Sequence, residues 1–169
     1  MALLSGDFPP GPYEATYDGT AVGLMEGSIF DESTLLETEI RASLYGKQVI
    51  DTIDDGMTQF IILMMKEWNT NAKKVFYPNA VVAGTGGNHG KVGRLNAALA
   101  KALVLTALTG TPAATEGPVT RTYNYAKLAG GHNLRLTFGP EERNVPVVFR
   151  IFPEEVTSGS KTTKYFADT

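Results

Sequence analysis

A chain of 169 residues, 43% hydrophobic and 20% charged, carries enough apolar material for one buried core, which excludes wholesale disorder and favours a single domain. It has no cysteine, so disulfides, thiolate metal sites and thiol nucleophiles are excluded together; stability must come from packing and assembly, and the composition suits a reducing cytosol. A formal net charge of -3, without a cluster of Lys and Arg, argues against a broad phosphate-binding surface. The longest apolar run, 60–65, is far short of the roughly 20 residues a membrane helix needs. The opening MALLSGDFPPGPYE has no basic region and only a short apolar patch before Asp7, so no secretory signal is expected.

In chain order, residues 1–12 read as an extended arm, because Pro9 and Pro10 cannot donate ladder hydrogen bonds and bias the backbone towards polyproline geometry; Leu3, Leu4 and Phe8 are its apolar anchors. Strand candidates follow at 13–17, 21–25 and 29–42, punctuated by Asp18-Gly19, Glu26-Gly27 and Asp31-Glu32. In 34–42, Glu37, Glu39 and Arg41 point one way and Leu36, Thr38, Ile40 and Ala42 the other, which predicts one wet face and one dry face. Gly46-Lys47 and Asp55-Gly56 bracket a strand at 48–54, with a hairpin turn expected at Asp55-Gly56.

The next segment, 57–68, has no polar face. Met57, Ile61, Leu63 and Met65 fall on one side, and Phe60, Ile62, Met64 and Trp68 on the other, so both sides need cover. A parallel-sheet strand would supply it, but the chain lacks regular helical crossovers, which leaves cover by neighbouring subunits open. Asn69 caps a short helix running to about Val75, and Pro78 stops it. Residues 84–93, GTGGNHGKVG, form a glycine-rich loop; 95–108 predict a helical turn followed by a strand from about Ala102. After a linker at 110–118, strands are expected at 121–127, 133–138 and 145–153. The tail beyond Ser158 is polar until Tyr165 and Phe166, which can pin it. No fixed-period repeat occurs, so the expected fold is mainly β: an antiparallel sandwich or barrel-like protomer with one short flanking α-helix.

The usual chemistry-bearing patterns are missing. The loop 84–93 fails as a P-loop at Thr85 and Val92 and as a dinucleotide loop at His89. His89 and His132 sit in separate glycine-rich turns without metal-ligand spacing, and no GxSxG elbow occurs. The pairs Asp54-Asp55 and Glu141-Glu142 read as solvated turn residues. No enzymatic activity, catalytic residue, metal or cofactor is expected. The stripe of Glu37 and Glu39 has another use: repeated around a symmetric ring, it would line a lumen that repels DNA phosphates, although Arg41 shares that face and a plain solvated surface fits the same pattern.

The order of these segments resembles the tail tube proteins, also called major tail proteins, of tailed bacteriophages. The likeness is carried by the opening strands around 13–24, by TLLETEIRASLYG, QVIDTIDDG, QFIILMMKEWN and LAKALVLTALTGTPAA, and by the closing NVPVVFRIFPE. It implies a tail-tube β domain at 13–157 between the arm (1–12) and a C-terminal tail (158–169). It further implies inner strands that join across subunits into a continuous barrel, in hexameric rings stacked as the conduit for genomic DNA. The implied partners are copies of the chain and other phage tail proteins. DNA passes without specific binding and no membrane is entered; the implied location is the virion tail, after synthesis in the host cytoplasm. On this resemblance Glu37, Glu39 and Arg41 are candidate lumen residues, and Leu3, Leu4, Phe8, Tyr165 and Phe166 candidate subunit contacts. Another β-rich virion component, such as a neck, tail-terminator or head-decoration protein, is the alternative.

Overall fold

The structure, a computed structural model, describes residues 12–22, 25, 29–43, 46–66, 71, 75, 95, 97–108, 119–131, 145–158 and 160–168. The strands are β1 (Tyr13–Tyr17), β2 (Thr20–Ala21), β3 (Phe30–Ala42), β4 (Gln48–Met65), β5 (Lys101–Ala107), β6 (Thr120–Leu128), β7 (Val145–Ile151), β8 (Glu154–Ser158), β9 (Ser160–Lys164) and β10 (Ala167–Asp168). The described residues are mainly antiparallel β. One eight-stranded sheet runs β2-β1-β5-β6-β7-β4-β3, with β10 added beside β6, and β8 and β9 form a separate hairpin. An isolated bridge between Met25 and Met65 brings the chain beyond β2 against β4, so the sheet curls towards a barrel that the described residues do not close.

Alternation builds the core. Ile61, Leu63 and Met65 of β4 lie opposite Phe149, Val147 and Val145 of β7, and all six are buried. On the other side, Ala15 and Tyr17 of β1 oppose Leu105 and Leu103 of β5, and Leu103 opposes Tyr123 of β6. Tyr17 then reaches across the curl to Phe149, ring centre to ring centre at 5.2 Å. A β-bulge near Lys101–Leu103 inserts an extra residue in β6, so Asn124 and Tyr125 are both exposed while Tyr123 and Ala126 are both turned inward. Pro146 is tolerated within β7 because β6 pairs with that strand only at Phe149–Ile151, so among the described residues Pro146 has a ladder on one side only.

Several expectations are met and several corrected. β1, β3, β5, β6 and β7 lie where alternation placed them. Asn71 and Val75 are helical, and Val75 is buried in the core; Asn69 lies outside the described residues. The turn before β5 is a 3-10 turn, Ala97–Leu99. Of the strand expected at 21–25, Thr20–Ala21 form β2 and Met25 makes an isolated bridge, while Gly23 and Leu24 lie outside the described residues. Asp31 and Glu32 do not punctuate β3 but lie inside it. Asp55-Gly56 is not a hairpin turn either. β4 runs through it, and the register moves from Leu36 opposite Gly56 to Glu37 opposite Asp54, which leaves Asp55 as a bulge residue; Gly56 takes φ 106°, available to glycine without strain. The turn is made instead around Gly46 and Lys47, both at positive φ. The arm residues 1–11, the loop 84–93, the linker 110–118 and the strand at 133–138 lie outside the described residues.

Burial perturbs two tyrosines. The Tyr17 hydroxyl donates to the Ala126 carbonyl at 3.2 Å; desolvation, with Asp18 nearby, pushes its pKa up to about 12. Desolvation and the bond to Asp31 raise Tyr123 further. The folded chain therefore holds protons that the unfolded chain releases near pH 10, so this stabilisation is complete below pH 10 and is lost as pH rises towards 12. The denaturation midpoint should be flat from pH 8 to 9.5 and fall steeply above about 10, with a shallower fall in Tyr17→Phe. An unchanged slope in that variant would remove Tyr17 from the account.

Candidate assembly interface

The feature left unexplained by a self-contained fold is the outer part of the β3–β4 hairpin. β7 pairs with β4 only from Gln59 to Met65, so residues 34–42 and 48–56 project beyond the sheet as a two-stranded arm. At about 3.4 Å per residue its nine-residue strand, 34–42, extends roughly 30 Å. Among the described residues, no strand pairs with the outer edge of β3 anywhere along Phe30–Ala42, and β4 has an open edge up to Thr58. Long open edges of this kind are templates for pairing with another chain.

The two faces of the arm differ as alternation predicted. On one, Glu37 lies opposite Asp54, Glu39 opposite Thr52 and Arg41 opposite Val49; the Arg41 Nε donates to Glu39 at 2.9 Å. Both side chains of that ion pair are about half exposed, so it contributes little. On the other face are Leu36, Thr38, Ile40 and Ala42, with Ile53 opposite Thr38 and Asp51 opposite Ile40. The expectation that this face is dry is not met within one chain. Leu36, Ile40 and Ile53 are all exposed, as are Leu35 (68%), Val49 and Ile50 (58%). Among the described residues, seven of the eleven exposed large hydrophobic residues belong to β3 and β4, a concentration that makes the hairpin the candidate contact surface.

Charge is concentrated in the same place. The arm holds five acids (Glu37, Glu39, Asp51, Asp54, Asp55) and two bases (Arg41, Lys47), a formal -3. Removing these from the chain's 18 acids and 15 bases leaves 13 of each, so the arm accounts for the whole net charge. Glu37 and Asp54 face each other directly, an arrangement that disfavours the isolated hairpin.

Further along β4 the faces are covered unequally. Ile61, Leu63 and Met65 are fully buried, whereas Phe60, Ile62 and Met64 are half-buried on the outer surface beside Val148. Trp68 lies outside the described residues, as do Leu3, Leu4, Phe8, His89 and His132. Tyr165 and Phe166 are engaged by their own chain: the Tyr165 hydroxyl donates to the Met57 carbonyl at 2.6 Å, and the Arg121 guanidinium lies 4.4 Å from the centre of the Phe166 ring. Sequence reasoning missed the polar group beneath them. Asp31 accepts hydrogen bonds from Gln59 Nε2 and from the Tyr123 hydroxyl, both at 2.6 Å, and Arg121 binds Asp168 through two bonds of 2.6 and 2.8 Å. No local pattern announces such partners, because they are separated by up to 92 positions in the chain. Among the described residues, no group of three or more acids or histidines is placed to hold a metal ion, and no helix is long and apolar enough to cross a membrane.

No protein-family model matches the chain, and no curated protein sequence matches it. Among solved structures it is similar to the anti-feeding prophage cap, an AFP tube terminating cap determined by cryo-EM, with a TM-score of 0.50 and 12% identity. The match covers 89% of this chain and 95% of that one. At such low identity the likeness is one of fold, and it extends over nearly the full length of both proteins.

Proposed function

We propose that the chain is a structural subunit of a phage-type tail, and specifically a tube subunit that assembles as hexameric rings stacked into a hollow conduit for DNA. The observation that carries this reading is the arm, whose open strand edges and exposed Leu36, Ile40 and Ile53 lack cover from the described residues of their own chain. Joining arms edge to edge around a ring would turn open sheets into a continuous barrel, removing the edges that a solitary hairpin exposes. The apolar face would then meet a neighbouring copy. The opposite face, with Glu37, Glu39 and Arg41, would line the lumen. Six copies at -3 each give -18 per ring, a surface that disfavours adhesion of DNA phosphates. Its action is mechanical, without cofactor or turnover, and its partners are further copies and other tail proteins. Leu3, Leu4 and Phe8, together with the exposed side of Phe166 and its neighbour Tyr165, are the additional contacts proposed between subunits.

A second reading is favoured by one observation: the similar solved structure is of a protein described as a tube terminating cap. A subunit of that kind would form one closed ring and stop. Negative-stain electron microscopy of the purified protein separates the two. Long hollow polymers are expected for a tube subunit, single rings for a terminator, and a monomer at high concentration would overturn both. In polymers of Glu37→Lys with Glu39→Lys, salt-sensitive DNA retention should appear if this face lines the channel. Unchanged retention would place these residues on the exterior.

A further inference from the structure

We infer that residues 165–168 form a strap that fixes the direction of the β3–β4 arm, with Asp31, Arg121 and Asp168 as its positioning residues. The arm is a lever. Its only described sheet neighbour at the root is β7, whose ladder ends at Gln59, while among the described residues β3 has no sheet neighbour on its outer side. A two-stranded ribbon held this way twists and bends easily. Over roughly 30 Å, a tilt of about 10° at the root moves the tip by about 5 Å. Ring closure tolerates no such spread, so contacts at the root control whether successive arms meet.

The strap supplies those contacts where the β7 ladder stops. β10 pairs with β6 at Arg121 and Thr122. From there Arg121 reaches in two directions, binding Asp168 of the strap through Nε and Nη2 and Asp31 of β3 through Nη1 at 3.4 Å. Its side chain is 20% exposed and that of Asp168 34%, so the pair is only partly screened by solvent. Asp31 is also held by Gln59 of β4 and Tyr123 of β6. Tyr165 ties the strap directly to Met57 of β4, the second residue beyond the last β7 pair, and Phe166 packs between the Arg121 guanidinium and the Tyr123 ring. Tyr165 thus holds β4 directly, and Asp168 holds β3 through Arg121. Cutting this link releases the root without removing any of the buried apolar residues of β4 and β7.

The absence of cysteine makes the test direct. Glu14→Cys on the body and Val49→Cys near the arm tip, both exposed, accept spin labels, and double electron–electron resonance on the dilute, unpolymerised full chain reads the distance between them. A narrow distribution is expected with the strap intact. Asp168→Ala, and separately a chain ending at Lys164, should broaden it about two-fold or more while circular dichroism shows the same strand content. Asp168→Glu should restore the narrow distribution. Should the truncated chain fail to fold, Asp168→Asn, which keeps shape and loses charge, provides the same comparison. Equal widths in parent and Asp168 variants would overturn the strap. The consequence for assembly rests on the proposed tube function, but the distance measurement does not: a parent chain that forms no polymer would defeat the tube reading and leave the strap result standing.

Discussion

The triple variant Leu36→Thr, Ile40→Thr, Ile53→Thr should stop polymer growth at concentrations where the parent chain polymerises, with a protomer melting transition that barely moves. All three residues are exposed in the isolated chain, so replacing them removes little buried contact, and threonine is a β-branched residue of the kind strands favour. Their remaining apolar surface has value only against another molecule. Covering it at about 25 cal/mol per Å² contributes on the order of 1 kcal/mol per residue, hence about 3 kcal/mol per arm. That corresponds to a rise of roughly a hundredfold in the concentration needed for assembly. Sedimentation velocity and electron microscopy across a concentration series would measure it. Polymers forming at the parent concentration would remove this face from the interface. A lowered melting temperature would mean that the arm packs on its own body in solution, contrary to the exposure seen here.

The complementary experiment strikes the core. Phe149 is fully buried on β7, opposite Ile61 on one side and Leu128 on the other, with the Tyr17 ring 5.2 Å away. Phe149→Ala removes most of a ring where β1, β4, β6 and β7 converge, and close-packed surroundings relax only partly into the void. A loss of about 3–5 kcal/mol is expected, a large share of the roughly 5–15 kcal/mol that holds a domain of this kind together. Urea denaturation of the protomer reads the change. Together the two variants separate roles: one abolishes assembly with the fold kept, the other weakens the fold itself. A cost below about 1 kcal/mol for Phe149→Ala would indicate that the curled sheet is not closed over this residue.

Much of the fold was legible because strand alternation is a local code. The segments Tyr13–Tyr17, Thr120–Leu128 and Val145–Ile151 each carry their inward residues at every second position, apart from the bulge in β6, and the structure buries those residues. The two faces of the arm were legible for the same reason. Three things were not. At Asp55-Gly56 the sequence has a favourable turn signal, but the partner strand continues past it, and a bulge accommodates the extra residue while the ladder resumes. Thirteen residue pairs along β3 and β4 outweigh one local preference. The C-terminal residues read as a polar tail, yet β9 and β10 are strands, because the rest of the fold supplies each with a partner, β8 for β9 and β6 for β10. Gln59 sits amid apolar neighbours and is buried nonetheless, since Asp31 across the hairpin offers its amide an acceptor.

What the sequence by itself determined is the mainly β character, the paired faces of β3 and β4, and the lack of a nucleophile or ligand set in any familiar spacing, all of which depend on neighbours within a few residues. Tertiary structure alone decided that the Leu36, Ile40 and Ile53 face has no cover among the described residues, and that Arg121 joins Asp31 to Asp168. Both are matters of which distant strands come side by side. Periodicity specifies the direction in which a side chain points, but only the completed sheet determines whether anything is there to meet it.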